Sequence, residues 1–319
     1  MSQQQVIGID IGGTTISLGC FRADGNCLES INLATPQPAT PEAIVNAIAS
    51  PIQIFSDKYS CLAIGVGMPG PTDATNRIAR VGINLPDWTD IPLAEWLEKR
   101  TNLPVTLAND ANSAAVGEAW LGAGKDIKNF ILLTLGTGVG GAIFLNGKLF
   151  TGSYGAAGEL GLVTLYPEGY PCNSGNQGSL EQYASIGAIR RMTGREPLEL
   201  GQLAAKGDRE SLAFWQQYGK TLAAGIASLV YVLTPEAIIL GGGISASAEY
   251  FFPATLAEIN RRVHPSSRLG LKLLKAELGN QAGMIGAAKL AWNLITSKAE
   301  GRGQRAEGSN PSQCSSDGG

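Results

Sequence analysis

Histidine is almost absent from this 319-residue chain: there is one, His264, which Pro265 follows in what reads as a turn. A three-histidine zinc site is excluded, and a Ser-His-Asp triad could draw only on that residue. Charge is also scarce, at 16 % Asp, Glu, Lys and Arg against roughly 25 % in an average soluble domain. The net charge is −3, so there is no basic excess to meet a nucleic-acid backbone, and no nucleic-acid partner is expected. The five cysteines (Cys20, Cys27, Cys61, Cys172, Cys314) are odd in number, scattered and without a C-x-x-C pair, which argues against a disulfide framework. Residues 1–5 carry no basic stretch, and Asp10 interrupts the first apolar run, so no signal peptide is expected. The longest apolar stretch, Leu222 to Thr234, is too short to span a bilayer. These absences point to a cytoplasmic protein without a membrane partner.

Glycine is what the chain has in excess: 42 residues, nearly twice the usual share of roughly 7 %. The glycines gather beside apolar runs, as expected where backbone approaches a ligand. Hydrophobic residues make up 44 % of the chain, enough for a sizeable core, and the length suggests two domains. Val6 to Phe21 reads as strand, glycine turn, strand, followed by the hairpin signal Asp24-Gly25. Phe130 to Leu145 repeats that layout and is followed by Asn146-Gly147, which points to two related α/β halves. Between them, Glu42 to Asp57 reads as a helix interrupted near Pro51. Cys61 to Gly67 reads as a buried strand, and Val105 to Ala108 as a strand leading into a helix from Ala111 to Leu121. Arg209 to Leu233 reads as a long helix. The expected division is an N-terminal domain over 1–110, closed by a helix over 282–296, and a C-terminal domain over 111–281. From 297 to 319 the composition predicts a disordered tail.

Two glycine turns that follow strands offer backbone N–H groups suited to phosphate oxygens. The first is Gly12-Gly13-Thr14-Thr15; the second contains Gly136, Thr137, Gly138, Gly140 and Gly141. Either alone would more often be a plain hairpin, but the matched pair favours phosphate. The second fits G-x-G-x-x-G, yet a strand follows it where a dinucleotide fold needs a helix. Asp110 stands where a strand gives way to a helix. It could be an N-cap; beside two phosphate loops it reads better as the base that accepts a hydroxyl proton, kept ionised by the helix N-terminus. Asp10, just before the first loop, reads as the partner of Mg²⁺, directly or through water.

Asp10-x-Gly12-Gly13-Thr14, Asn109-Asp110-x-Asn112, Leu135-Gly136-Thr137-Gly138-x-Gly140-Gly141 and Gly241-Gly242-Gly243 occur in that order. Together they resemble the ROK family (repressors, open reading frames, sugar kinases) over roughly Val6 to Ile295. The resemblance implies two ribonuclease-H-like, actin-like ATPase domains of α/β class flanking a cleft, where ATP with Mg²⁺ meets a hexose. It makes Asp110 the catalytic base, has the two loops cradle phosphates, and places Gly241, Gly242 and Gly243 on the adenosine side. Gly70, Asn84, Asn109, Asp110, Glu159 and Glu181 match sugar-holding positions. It also implies a homodimer and, as activity, hexose phosphorylation. Glucose is the first acceptor expected, with fructose, mannose or an N-acetylated hexosamine as alternatives. The family includes sugar-responsive repressors, but five residues before the first strand leave no room for a DNA-binding domain; a non-catalytic sugar sensor is a further alternative. One departure stands out. Many members hold a structural zinc with one His and three Cys, and here those positions read Leu162, Cys172, Ser174 and Ser179. No zinc is expected.

Overall fold

The computed structural model describes residues 4–83 and 85–307, with side chains to residue 297. The first half contains β1 (Gln5–Ile11), β2 (Thr15–Phe21), β3 (Cys27–Ala34), α1 (Pro41–Tyr59), β4 (Cys61–Met68), β5 (Ala79–Val81), β6 (Thr89–Ile91), α2 (Leu93–Thr101) and β7 (Val105–Asn109). The second half begins with α3 (Asp110–Leu121), β8 (Phe130–Leu135), β9 (Val139–Leu145) and β10 (Lys148–Phe150). It continues through α4 (Glu181–Ala184), α5 (Ile186–Thr193), α6 (Pro197–Ala205), α7 (Arg209–Leu233), β11 (Ala237–Gly241), α8 (Ala248–Arg262) and β12 (Lys272–Lys275) to α9 (Ala282–Glu307).

The repeated layout of the sequence becomes two five-stranded sheets of one topology, β3-β2-β1-β4-β7 and β10-β9-β8-β11-β12. In each, the hairpin strands pair antiparallel and the remaining strands add in parallel. The two hairpin turns use left-handed backbone at Gly25 and at Asn146-Gly147, as the twist of the flanking strands favours.

Period-2 alternation decides what each face of β1 meets. Ile7, Ile9 and Ile11 enter the core under α1 and α2, whereas Val6, Gly8 and Asp10 face α9. On β4, Ile64, Val66 and Met68 join the first core, while Gly65 and Gly67 face α9 and α3. Side chains are missing there for a steric reason: a Cβ on Gly8 would overlap the Met284 carbonyl oxygen, and one on Gly65 the Ala287 carbonyl oxygen. In the second sheet, Ile131, Leu133, Ile238 and Leu240 pack under α7 and α8. Phe130, Leu132, Ala237 and Ile239 pack with Ala115 and Val116 of α3. The resulting order is α1 and α2, first sheet, α9, α3, second sheet, α7 and α8.

α3 and α9 cross almost backbone to backbone. Cβ atoms on Gly117 and Gly286 would overlap Ala282 and Ser113 carbonyl oxygens respectively. Glu118, 0 % exposed, locks the far end of this crossing. Its carboxylate accepts from Ala123 N (2.8 Å), Glu277 N (3.1 Å) and Leu278 N (2.9 Å), tying α3 to the segment that leads into α9.

Two elements differ from the sequence reading. α1 runs unbroken through Pro51, because Ile44, Val45, Ile48, Ile52 and Phe55 continue one buried face across it and that packing outweighs one lost helix hydrogen bond. α9 continues to Glu307 instead of stopping at 296. Residues 308–319 of the expected tail lie outside the described residues, as does Asn84. Cys20, Cys27, Cys61 and Cys172 are free thiols, and no helix among the described residues is long and apolar enough to cross a membrane.

Gly286→Ala is the sharpest test of the crossing. On an exposed helix this change gains about 1 kcal/mol. Here it is expected to cost about 2 kcal/mol, as overpacking does, read as a lower urea midpoint. An unchanged or raised midpoint would show that the helices do not need this contact.

Candidate active site

The cleft lies where strands of both sheets end. β7 ends at Asn109, whose side chain caps α3 by accepting from Ala111 N (2.9 Å) and Asn112 N (3.2 Å). The cap is therefore Asn109, which frees Asp110 from that role. Asp110 also accepts from Ala111 N at 2.7 Å. It is ringed by protein yet still open to solvent, as the floor of a cleft is. Burial raises its pKa, against the lowering effect of the backbone N–H groups and the Asn109 side chain. The helix N-terminus thus does not by itself set the charge of Asp110. The upward shift makes the carboxylate a better proton acceptor near neutral pH.

Asp10 comes from the other half, at the end of β1. It sits against the first turn of α9, where a Cβ on Gly283 would lie 2.6 Å from its carboxyl carbon. Burial, then the negative charge of Asp110, pushes its pKa up to about 7. Glu159 is raised by burial and then by Asp110 and Glu181. Among the described residues no salt bridge involves Asp10, Asp110, Glu159 or Glu181. Carboxylates left without a cationic partner are available as acceptors for hydroxyl hydrogens.

Both glycine loops open onto this floor. In the first, Gly12 N–H closes the turn on Thr15 O (2.9 Å). Thr35 braces the loop from behind, through Oγ1 to Gly12 O (2.7 Å) and N–H to Thr14 O (3.0 Å). In the second, Gly136 N–H closes on Gly138 O (2.9 Å). Gly12 and Gly136 therefore shape their loops, and the N–H groups left for an anion are those of Gly13 and Thr14, and of Thr137 and Gly138. Thr15 begins β2. Gly140 lies inside β9, where a Cβ would overlap Thr134 Oγ1 and meet Ala111 at 3.1 Å, so this glycine permits close packing on α3. Gly241 is buried at the end of β11, whereas Gly242 and Gly243 are exposed. Gly242, at φ 81°, packs on Leu135 and so adjoins the second loop.

Gly70 has φ 101° and packs on the Val81 carbonyl, holding the Met68-Pro69-Gly70 turn against the segment before Asn84. Glu159 precedes a 3₁₀ turn pressed onto β9, where Gly161 lies so close to the Val139 carbonyl that a Cβ would overlap it. Glu181 opens α4, and its Oε2 accepts from Val139 N at 2.9 Å. That bond ties Glu181 to the second glycine loop, and its other oxygen makes no hydrogen bond among the described residues. Sequence reasoning missed Thr35 and Gly283. For Gly283 the available sign was its spacing with Gly286 along α9, which suits a close approach.

Zinc does not fit the positions expected to hold it. Leu162, Ser174 and Ser179 supply no ligand beside Cys172, and no group of three His, Cys, Asp or Glu that could hold a metal occurs among the described residues.

The glucokinase of Thermotoga maritima is 35 % identical over 310 residues, covering 91 % of this chain and 98 % of that protein. The N-acetylmannosamine kinase of Shigella flexneri is 31 % identical over 294 residues, covering 90 % and 98 %. A ROK family glucokinase from Streptomyces griseus in complex with glucose and AMPPNP matches with a TM-score of 0.78 at 34 % identity, covering 91 % of this chain and 99 % of that one. Fold and cleft together define an enzyme of the actin-like ATPase fold, with two α/β halves meeting over a carboxylate floor. Residues 6–293 match the ROK family, and the chain belongs to that family.

The raised pKa of Asp10 has a consequence for stability. Between 3.8 and about 7 the native state holds a proton that the unfolded chain has released, so this group's contribution falls as pH rises through that window. Asp10→Asn removes the penalty. Without metal or nucleotide, the variant is expected to melt several degrees above wild type at about pH 8 and level with it near pH 4. A difference independent of pH would rule out this account.

Proposed function

We propose that this protein transfers the terminal phosphoryl group of ATP to a hexose, with glucose as acceptor and glucose 6-phosphate as product. The observation that carries the reading is Asp110 itself. It is an unpaired carboxylate of raised pKa at the head of α3, flanked by Asn109 and by two loops with free N–H donors. In this reading Asp110 accepts the proton of the attacking hydroxyl. Asn109, Glu159, Glu181 and the turn at Gly70, with Asn84, hold the remaining sugar hydroxyls. Gly13 and Thr14 on one side, and Thr137 and Gly138 on the other, receive phosphate oxygens, while Gly242 and Gly243 line the adenosine side.

Asp10 suits Mg²⁺, which is bound through one or two carboxylates plus substrate phosphates in such sites. When bound, the ion would offset phosphate charge; Asp10, which no salt bridge among the described residues engages, would hold it directly or through water, giving up the proton that its raised pKa retains in the empty protein. The same proposal divides the chain at 110/111, with α9 returning to the first half. It has the halves close over bound substrates to exclude water, and it places a homodimer in the cytoplasm. Glucose is favoured by the glucokinases among the relatives. The N-acetylmannosamine kinase makes an N-acetylated hexosamine the second acceptor to test.

The test is ADP release from Mg-ATP with glucose, mannose, fructose, N-acetylglucosamine and N-acetylmannosamine, for wild type and Asp110→Asn. Glucose is expected to give the highest kcat/KM. The substitution is expected to lower kcat by about 10²–10⁴-fold, the usual contribution of a general base, with sugar KM changed only a few-fold. Turnover of no sugar by a wild type that still binds one would replace the kinase reading with a sensor.

A further inference from the structure

The segment between Glu159 and Glu181 has no metal to hold it, yet both carboxylates depend on its shape. Cys172, Ser174 and Ser179 still converge: Cys172 is buried, and the hydroxyls of Ser174 and Ser179 lower its thiol pKa against the opposing effect of burial. What joins the loop to the 3₁₀ turn after Glu159 is Asn176. Its Nδ2 donates to Leu162 O at 2.9 Å and to Thr164 Oγ1 at 3.0 Å. Its main-chain oxygen accepts from Cys172 N at 2.8 Å, and its Oδ1 from Gln177 N at 2.8 Å. One amide side chain therefore closes the span from 162 to 172–177. The flanking backbone follows suit, with Leu180 N–H on Val163 O (2.9 Å) and Gly178 O accepting from Leu165 N (2.7 Å) and Tyr166 N (3.0 Å).

A second tie lies on the outer side of the loop. Tyr183 of α4 packs edge-on against Tyr166, with ring centroids 4.6 Å apart, and its hydroxyl accepts from Tyr170 N at 3.3 Å. The Arg191 guanidinium covers Tyr170, 4.0 Å from the ring centre. Both ties lead to the site. Leu162 N–H bonds Glu159 O (3.1 Å) within the 3₁₀ turn, and Tyr183 is two residues after Glu181.

We infer that Asn176 is a positioning residue which does without metal what a tetrahedral ion would do: it fixes the spacing of Glu159 and Glu181 on the sugar side of the cleft. The inference rests on the sugar-kinase reading for its functional half only. Its structural half, a loop held by the Asn176 amide and free of zinc, stands on the geometry alone. An Asn176→Asp side chain keeps the shape but loses both N–H donors and turns an anionic oxygen toward the Leu162 carbonyl.

Three measurements test it. Elemental analysis of the purified wild type is expected to find zinc far below one per chain. Chelation followed by return of Mg²⁺ is expected to leave glucose KM unchanged. In Asn176→Asp, hydrogen exchange over 162–178 is expected to accelerate, while glucose KM rises about tenfold or more and ATP KM stays within about twofold. A general loss of folding would instead move both substrates and the exchange of α7 together, and Asn176→Ala, which adds no charge, then takes the place of the aspartate. Stoichiometric zinc, chelator-sensitive KM, or exchange over 162–178 unchanged in both variants would each overturn the inference. A wild type that turns over no hexose overturns the kinase reading, and the zinc and exchange results still decide the staple.

Discussion

The close crossing of α3 and α9 is the constraint on which the rest of the molecule depends. Each half brings its own sheet and its own outer helices, but the reactive groups come from different halves. Asp10 ends a strand of the first sheet, and Asp110 opens the helix that packs on the second. They can interact only if the layers between the sheets are thin. Glycine makes them thin: Gly8 and Gly65 let α9 lie on the first sheet, and Gly117 and Gly286 let α3 lie on α9. Gly283 then places the first turn of α9 against the Asp10 carboxylate. Glu118 ties the C-terminal end of α3 to the segment leading into α9 through backbone N–H groups from both sides. A side chain at any of these glycines would move one carboxylate relative to the other, so packing and catalysis share the same residues.

That closeness has an electrostatic cost in the empty protein. The charge of Asp110 opposes the ionisation of Asp10, and Glu159 feels both Asp110 and Glu181. A protein selected only for stability would pair such groups with lysine or arginine, and this one does so elsewhere, for example at Arg77 and Glu98. Under the proposed function, leaving the cleft unpaired keeps its acceptors available to sugar hydroxyls and to the cation that accompanies a nucleotide. On that reading, binding would relieve the repulsion, so affinity and the proposed closure would be two readings of one interaction.

Much of the fold is legible in the sequence because its signals are local. A strand, a glycine turn and a second strand announce each hairpin, and Asp24-Gly25 and Asn146-Gly147 mark the returns. The motif around Asn109 and Asp110 places a helix start directly. Other features are silent because they depend on partners distant along the chain. Nothing around Gly283 says that it will face Asp10, and nothing in Glu181 says that it will bind the amide of Val139. The loop glycines look equivalent in sequence, yet Gly12 and Gly136 spend their N–H groups closing turns, and Gly140 serves packing. Pro51 misleads for the converse reason: its local rule is real, but five buried neighbours outweigh it.

The two sheets share one topology, and their differences lie in what has been inserted. After its hairpin the first half passes almost directly to α1, whereas the second carries residues 151–206 before its long helix. That insertion supplies Glu159 and Glu181, the two proposed sugar-holding carboxylates with no counterpart in the first half. Glu181 reaches back to the second glycine loop, and the staple at Asn176 holds the stretch between the two carboxylates. A change in this insertion can therefore alter how a sugar is held while leaving Asp110 and the first loop in place. Because Glu181 grips the amide next to Gly138, such a change is also felt in the second glycine loop, the phosphate loop of the proposed function. The duplicated sheets thus provide a common frame, and the inserted segment couples acceptor recognition to the phosphate loop.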